Sequence, residues 1–347
     1  MSKGRGLVRA SAAVAAAGVV ALAACTPPED TEGPGGSGDG DDVFLQMATG
    51  STGGTYYPLG GEIAQLWSSN IDGLQVDTLA TGASVQNLRA LEGETEDESE
   101  GSIDQVELIM SVNGVAMQAK DGVGPFADEP LSNPEGIVAL GNIYPEVMQV
   151  VTLEDSGIES IADLEGANVE LGPPGSGTEV AARQILEAYG IDPDNDINAF
   201  DSTFGDAATA LGDGQVDAMF GILSVPAGGI VEVSANNDVR ILPIDGEEAD
   251  ELMAADESYS PLTIDGGTYS GQDEDVVTLT QWATLYSMDT LDEDLAYELT
   301  KVMYEEAGSI GHDVGSQVLL ETAIDGLGGI DLHPGAERYY EEQGLLD

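Results

Sequence analysis

The chain has 65 Asp and Glu residues against 9 Lys and Arg residues, a formal net charge of −56 at pH 7. So large an acidic excess excludes nucleic acid and anionic membrane surfaces as electrostatic partners. It is typical either of a disordered chain or of a folded protein whose surface is adapted to high salt. Because hydrophobic residues make up 41% of the chain and apolar periodicity continues to the C-terminus, we expect a folded protein from a halophilic or salt-tolerant bacterium.

The N-terminus predicts a secretory signal peptide over residues 1–24. Three cations, Lys3, Arg5 and Arg9, precede a short apolar run from Ala10 to Ala24. This order is that of a cleaved export signal, and the run is too short to be a stable membrane span. No acid lies in the leader, so its removal takes the formal charge from −56 to −59.

Cys25 is the chain's only cysteine, and it follows Leu-Ala-Ala at the expected cleavage point of a lipoprotein signal. A chance cysteine in an ordinary signal peptide is the alternative. Residues 25–42 are rich in Pro, Gly, Ser and acids, a composition that predicts a flexible tether. We therefore expect an exported protein that a lipid on Cys25 anchors to the outer face of the cell membrane, or on its periplasmic side.

From Val43 onward, short apolar runs alternate with amphipathic stretches, which is typical of α/β architecture. About 300 residues exceed a typical single domain, so two lobes are expected. The predicted strands are Val43–Ala48, Leu74–Ala80, Leu108–Val112, Gly136–Leu140, Val147–Leu153, Asn168–Leu171, Ala218–Leu223, Arg240–Pro243 and Val276–Leu285. The predicted helices are Tyr57–Ser69, Ser84–Glu92, Ile161–Leu164, Thr178–Tyr189, Asp206–Asp213, Pro226–Ala235, Glu247–Ala255, Leu291–Glu306 and a segment from Ile310 into the 320s.

One acidic segment, Glu92–Asp104, interrupts the α/β pattern with seven Glu or Asp among its thirteen residues. A metal site is one interpretation of such a run. A solvated surface loop is the interpretation that we favour, because runs of like charge are usually exposed to water.

The segment Thr49–Pro58 follows the first predicted strand and is rich in glycine and hydroxyl side chains. Glycine lets the backbone come close to a ligand, and Ser51, Thr52 and Thr55 can donate hydrogen bonds. The next helix points its N-terminal N–H groups at this loop. The loop therefore predicts an anion site without a cationic side chain.

Another loop of this kind, Pro173–Thr178, also lies between a predicted strand and a predicted helix. The spacing from Gly172 to Gly177 matches the start of a phosphate-binding loop, but Thr178 and Glu179 stand where that motif requires Lys and Ser or Thr. The loop Thr81–Asn87 also has hydroxyls and an amide at a helix start. Each loop alone has an ordinary explanation as a turn with a helix cap, but together they predict a carboxylate held between lobes.

The sequence offers little for catalysis. Its two histidines, His312 and His333, lie in contexts that resemble a helix end and a turn, and neither Ser51 nor Ser176 stands in a nucleophile motif. No pair of histidines has the spacing of metal ligands. We therefore expect no enzyme, no metal site and no cofactor.

Two arginines, Arg89 and Arg183, lie on the helices that follow the predicted loops. Pairing with surface acids is the simpler expectation for both, because isolated arginines on so acidic a face readily find carboxylates. Contact with the ligand stays open as the alternative.

Several motifs of the chain together resemble the TAXI-type solute receptors of tripartite ATP-independent periplasmic (TRAP) transporters. They occur in family order over nearly the whole mature chain. The matching stretches are Ala48–Gly61, Thr81–Leu88, Asp155–Gly166, Gly172–Gly190, Leu211–Ala218, Gly267–Gln272 and Leu332–Tyr340.

This resemblance implies an α/β fold of the type II periplasmic-binding-protein class, with two lobes joined by two crossing strands. Lobe 1 is then expected at residues 43–145 and 283–347, and lobe 2 at residues 146–282. The ligand contacts carried over from the family are Ser51, Thr52, Gly54, Thr55, Tyr56, Thr81, Ser84, Val85, Pro174, Gly175, Ser176, Gly177 and Thr178. The chain departs from the family around Ser111–Val115, so Asn113 is expected to line the pocket in its own way.

The function that the resemblance implies is capture of a small organic anion, such as glutamate or 2-oxoglutarate, and its delivery to TRAP transporter membrane subunits. A solute-binding lipoprotein of an ABC importer or of a sensor kinase is the alternative. An extracellular hydrolase is a third possibility, which requires His312 or His333 beside a nucleophile.

Overall fold

The computed structural model describes residues 42–93 and 105–346. The predicted signal peptide, Cys25 and nearly all of the tether therefore lie outside the described residues, as does most of the acidic segment Glu92–Asp104.

Within this part of the chain, ten strands and nine α-helices alternate as the sequence pattern predicts. The strands are β1 (Val43–Ala48), β2 (Leu74–Leu79), β3 (Leu108–Val112), β4 (Ile137–Leu153), β5 (Asn168–Glu170), β6 (Asn198–Phe200), β7 (Ala218–Leu223), β8 (Val239–Leu242), β9 (Ser260–Ile264) and β10 (Val276–Met288). The helices are α1 (Tyr56–Asn70), α2 (Ser84–Glu92), α3 (Asn113–Asp121), α4 (Gly177–Ala188), α5 (Phe204–Gly212), α6 (Gly228–Ser234), α7 (Gly246–Ala255), α8 (Glu293–Glu305) and α9 (Pro334–Gln343).

All ten strands belong to one sheet, whose main path runs β2-β1-β3-β10-β4-β7-β5-β6. The outer parts are parallel, with β1 between β2 and β3, and with β5 between β6 and β7. The middle is antiparallel, because β4 and β10 pair with each other over most of their length. These two long strands connect the two parallel parts, and they run through both expected lobe boundaries. The division into lobes at these boundaries stays a prediction.

Each parallel part of the sheet has its own apolar core. Around β1 and β3 the core includes Trp67, whose indole N–H donates to the carbonyl of Leu299 at 2.8 Å. On the other side, the helices α5 and α6 pack Phe204 and Ile230 against β7. A third cluster extends across the middle of the sheet from α2 and α3 to α4. The packing therefore fixes the loops at the ends of β1, β2, β5 and β7 relative to each other.

The strand predictions differ from the structure mainly at β4. The sequence predicted two strands, Gly136–Leu140 and Val147–Leu153, and the structure joins them into one of 17 residues. The residues between them include Gly141 and Pro145, which favour a turn in a sequence-based prediction. In the fold Gly141 adopts φ 146°, where a Cβ atom would clash with the hydroxyls of Tyr304 and Tyr340. Close packing against these two tyrosines therefore explains the glycine at position 141, which is not part of a turn.

The helix predictions are wrong in the C-terminal part. The expected helix from Ile310 is replaced by two short 3₁₀ helices, Asp313–Gln317 and Leu320–Thr322. The helix α9 was missed because His333 was interpreted as part of a turn. The Nδ1 atom of His333 instead caps α9 by accepting from the N–H of Gly335 at 3.1 Å. The sequence also missed β6, β9 and α3.

Candidate functional site

A small cavity of about 60 Å³ lies where the glycine-rich loops meet. Its volume is enough for about four to six water molecules, the size of a small solute. The residues that line it are Gly50, Ser51, Gly54, Thr55, Tyr56, Gly82, Ala83, Ser84, Val112, Glu146, Gly172, Pro173, Ser176, Gly177, Thr178, Phe204, Ala207, Phe220, Ile222 and Leu223.

The first loop joins β1 to α1 and folds back on itself, because the N–H of Gly54 donates to the carbonyl of Ser51 at 3.0 Å. Thr55 is buried at the start of α1, and its side chain makes no helix-capping bond. Its hydroxyl instead lies 3.2 Å from the hydroxyl of Ser224, which follows β7 in the other part of the sheet. Thr55 therefore connects the two sides of the cavity.

The second loop joins β2 to α2, and hydrogen bonds of the Asn87 side chain hold it in place. The Asn87 amide donates to the carbonyls of Thr49 at 2.6 Å and Met110 at 2.8 Å. Its side-chain oxygen accepts from the hydroxyl of Thr81 at 2.7 Å. Ser84 begins α2, and its hydroxyl oxygen accepts from the N–H of Val112 at 3.2 Å. The hydroxyl hydrogen of Ser84 stays available as a donor.

The third loop joins β5 to α4. Ser176 caps α4 by accepting from the N–H of Glu179 at 3.1 Å, as its position before a predicted helix indicated. The hydroxyl oxygen of Thr178 accepts from the N–H of Ile222 on β7 at 3.2 Å. Both hydroxyl groups accept in these bonds, so each keeps its hydrogen for a ligand in the cavity.

Direct contacts join the loops beside the cavity. The N–H of Val85 donates to the carbonyl of Gly175 at 3.0 Å, which joins the second loop to the third. At Gly177 an added Cβ would lie 3.0 Å from the hydroxyl oxygen of Ser84 and 2.6 Å from a methyl group of Val112. The loops from the two parts of the sheet are thus in direct contact at Gly177, and a larger residue does not fit there.

Glu146 on β4 is a buried acid in the wall of this cavity. It is 4% exposed, and its carboxylate accepts hydrogen bonds from the hydroxyls of Tyr56 at 2.6 Å and Tyr144 at 2.9 Å. Burial raises the pKa of Glu146 to about 8, although the two tyrosine hydrogen bonds act in the opposite direction. Burial likewise raises the pKa of both tyrosines well above their ordinary value.

Within the described residues, all six Lys and Arg side chains have partners other than Glu146. Four of them form ion pairs at 2.6 to 3.3 Å, and Lys301 lies 4.0 Å from Glu298. Arg89 donates to the carbonyls of Pro125 and Glu129 and stacks on the ring of Phe126. Arg183 pairs with Glu179 and Asp194, as the sequence favoured. No protein cation in this part of the chain therefore compensates an ionised Glu146.

The structure brings together eight of the predicted site residues as lining of the small cavity: Ser51, Gly54, Thr55, Tyr56, Ser84, Ser176, Gly177 and Thr178. Thr52 is exposed, Thr81 supports the second loop, and Pro174 lies at the contact between loops. Val85 and Gly175 also form this contact, and they border a larger groove of about 850 Å³ between α3, α4 and α7.

Asn113 has a different position from the one expected, and it does not line the small cavity. It begins α3, is fully buried, and donates to the carbonyl of Gly326 at 2.6 Å while it accepts from the N–H of Trp282 at 3.0 Å. Both side-chain groups are therefore used to hold the C-terminal segment and β10. The segment after β3 is the helix α3, whose residues Val115, Ala116 and Ala119 pack into the core.

Sequence reasoning missed Glu146, Tyr144, Ser224 and Phe204 as cavity or cavity-wall residues. For Glu146 a signal was present, since it is a single acid directly before the predicted strand Val147–Leu153. Such an acid is rarely buried unless it has a partner. Because the chain has so many other acids, Glu146 was not recognised as unusual.

In residues 42–93 and 105–346, no group of three His, Cys, Asp or Glu residues has the geometry to hold a metal ion. The described helices also include none that is long and apolar enough to cross a membrane. His312 and His333 cap a 3₁₀ helix and α9, respectively, through their Nδ1 atoms.

The sequence model of the NMT1-like family matches residues 47–344. A solved structure of a periplasmic transporter is 14% identical, with a TM-score of 0.53 over 87% of this chain and 94% of that chain. A protein of Bordetella bronchiseptica RB50 is 17% identical, with a TM-score of 0.50 over 86% of this chain and 82% of that chain. The substrate-binding protein of an amino acid ABC transporter is 12% identical, with a TM-score of 0.44 over 77% of this chain and 96% of that chain. The predicted type II periplasmic-binding-protein fold is confirmed.

Proposed function

Because the chain belongs to the NMT1-like family, we propose that it is an extracytoplasmic solute-binding protein that closes over a small solute and delivers it to a membrane importer. The observation that carries the proposal is the cavity of about 60 Å³ at the meeting point of three loops. The site binds and releases, and we propose no reaction in it.

The donors around the cavity support a carboxylate as one part of the solute. The loops before α2 and α4 present helix N-termini, where backbone N–H groups and the helix dipole favour an anion. The hydroxyls of Ser84, Ser176 and Thr178 keep a hydrogen to donate. This arrangement supports the carboxylate that the sequence predicted.

An ABC importer is the first candidate for the membrane partner. The family that matches is the NMT1-like family, and this match does not confirm the TAXI type that the motifs resemble. The TRAP transporter is therefore the second candidate, supported by those motifs alone. Lipid anchoring through Cys25 stays part of the proposal, because an importer needs its receptor close to the membrane.

A thermal-shift screen of small solutes in high salt tests the proposal. A solute that binds only the folded state raises the melting temperature by mass action, so at least one class of small solute is expected to do so. If a broad screen of carboxylates, amino acids and amines leaves the melting temperature unchanged, the proposed function is wrong.

A matched pair of variants then tests the position of the site. Ser51→Ala removes a cavity hydroxyl, while Ser69→Ala removes an exposed hydroxyl at the end of α1. A hydrogen bond to a charged group contributes about 1.5–3 kcal/mol, so Ser51→Ala should weaken binding roughly tenfold to hundredfold. Equal affinities for both variants and the wild type would place the site elsewhere.

A further inference from the structure

The cavity has donor groups on its loops and an acid in its wall. Its loops offer N–H and O–H groups from Ser84, Ser176 and Thr178, which suit an anion. Glu146 lies in the wall between them, and both of its oxygens accept from tyrosine hydroxyls at 2.6 and 2.9 Å. A simple anion would satisfy the first set of groups but would lie beside a buried carboxyl group.

The charges of the chain make a simple anion a poor match to this wall. An ionised buried carboxylate is strongly unfavourable without a cationic partner. The six cations of the described residues are all engaged elsewhere, and the mature chain carries a formal charge near −59. The field of so acidic a protein attracts cations and repels anions. A cationic group of the ligand would supply the partner that an ionised Glu146 lacks.

We propose that the solute is a small zwitterion whose protonated nitrogen pairs with Glu146, while its carboxylate lies at the loops before α2 and α4. This inference rests on the proposed function and names its solute class. Tyr56 and Tyr144 orient the Glu146 carboxylate through their two hydrogen bonds. Tyr56, Phe204 and Phe220 also line the cavity, and aromatic faces attract a cationic nitrogen.

The proton balance of binding follows from the surroundings of Glu146. The titratable groups that contact it are Tyr56 from α1 and Tyr144 from its own strand, and its paired residue on β10 is the uncharged Gln281. With a pKa of about 8, the carboxyl group holds a proton at pH 7 in the empty cavity. When the protonated nitrogen arrives, this proton leaves to solvent. Binding at pH 7 therefore releases up to one proton, and affinity rises with pH up to about 8.

Pairs of probes that differ in one amino group test the proposal directly. Calorimetry on the full chain in high salt would compare glycine with acetate, L-alanine with propionate, and L-glutamate with glutarate. The amino acid of at least one pair should bind roughly a hundredfold more tightly than its nitrogen-free analogue. If only nitrogen-free carboxylates bind, this inference is overturned and the proposed function stands. If no small solute binds in the broad screen either, both are overturned.

Glu146→Gln tests the role of the residue while keeping its shape. The variant should lose roughly a hundredfold in affinity for the amino acid that binds, and its binding should release no proton when two buffers of different ionisation enthalpy are compared. Glu170→Gln is the matched control, because Glu170 is also 4% exposed but bonds Ser202 away from the cavity. Unchanged affinity and unchanged proton release in Glu146→Gln would overturn the proposal.

Discussion

The acids on the surface and the acid in the cavity are in opposite physical situations. On the surface, Arg183, Arg240 and Arg338 hold carboxylates at 2.6 to 3.2 Å, and many other acids are exposed to water. In the cavity, Glu146 has two neutral tyrosine hydroxyls and no protein cation among the described residues. The comparison teaches that the charge of this chain has two separate consequences. Water and salt stabilise the charge of the surface acids, whereas the proposed solute would stabilise the charge of Glu146.

The largest expected effect is the pH dependence of stability that Glu146 causes. Its pKa rises from 4.5 to about 8 on folding, so between these values the folded protein holds a proton that the unfolded chain has lost. The contribution of Glu146 therefore makes the ligand-free protein less stable as pH rises from 4.5 to about 8, by about 5 kcal/mol in total. Urea unfolding of wild type and Glu146→Gln at several pH values measures this difference.

The control for this measurement is the shared pH response of the surface. Both proteins lose stability as surface acids ionise, so the difference between the two curves isolates Glu146. That difference should widen between pH 4.5 and 8 and stay constant above about pH 8. Parallel curves over this range would contradict the assignment of an unusual environment to Glu146.

The second prediction tests whether the closed loops create that environment. Gly177→Ala places a Cβ atom against Ser84 and Val112 across the loop contact, so the closed form should lose stability relative to an open one. Solute binding should weaken roughly thirtyfold, and the pKa of Glu146 should fall toward its ordinary value as water enters. Gly228→Ala, at the first position of α6 with no atom near the new methyl group, is the matched control. Equal binding by both variants would show that closure does not depend on this contact.

Much of the fold could be predicted because the apolar pattern is strong where elements pack on both sides. Leu108–Val112 and Ala218–Leu223 are almost entirely apolar strands, and the structure has the same bounds. The pattern is misleading where a residue type has a tertiary reason, as at Gly141 under the tyrosine hydroxyls. The short strands β6 and β9 have too few buried residues to be visible in the sequence.

The glycine-rich loops of the site could be predicted from the sequence, but the buried acid Glu146 could not. The glycine-rich loops are local features, and their positions after strands and before helices follow from the sequence. The surroundings of Glu146 come from parts of the chain that are far apart in sequence: Tyr144 lies on its own strand, but Tyr56 comes from α1, 90 residues away, and the three loops line the cavity beside it. Local patterns contain no information on such an arrangement. The same reason explains the error at Asn113, whose partners Trp282 and Gly326 lie more than 160 residues away.

Salt should separate the surface acids from Glu146. The Debye length falls from ~10 Å at 0.1 M to ~3 Å at 1 M, so repulsion among exposed carboxylates weakens while a buried group is little affected. The melting temperature of wild type should rise by several degrees over this range, as it should for Glu146→Gln. The pH-dependent difference between the two proteins should remain in 1 M salt. A melting temperature that does not change with salt would show that the acidic surface is no adaptation to it.

The smallest expected effect comes from the hydroxyl of Thr55, which contacts both the hydroxyl and the backbone N–H of Ser224 across the cavity. Thr55→Val keeps the shape of the side chain but removes the hydroxyl that lies 3.2 Å from Ser224. Because Thr55 makes no helix-capping bond, α1 should keep its stability. The closed form should lose about 1 kcal/mol, which corresponds to roughly fivefold weaker binding. Thr209→Val is the control, since its hydroxyl bonds the carbonyl of Gly205 within α5 and crosses nothing. Binding by Thr55→Val that equals that of the wild type would mean that closure does not depend on this hydroxyl.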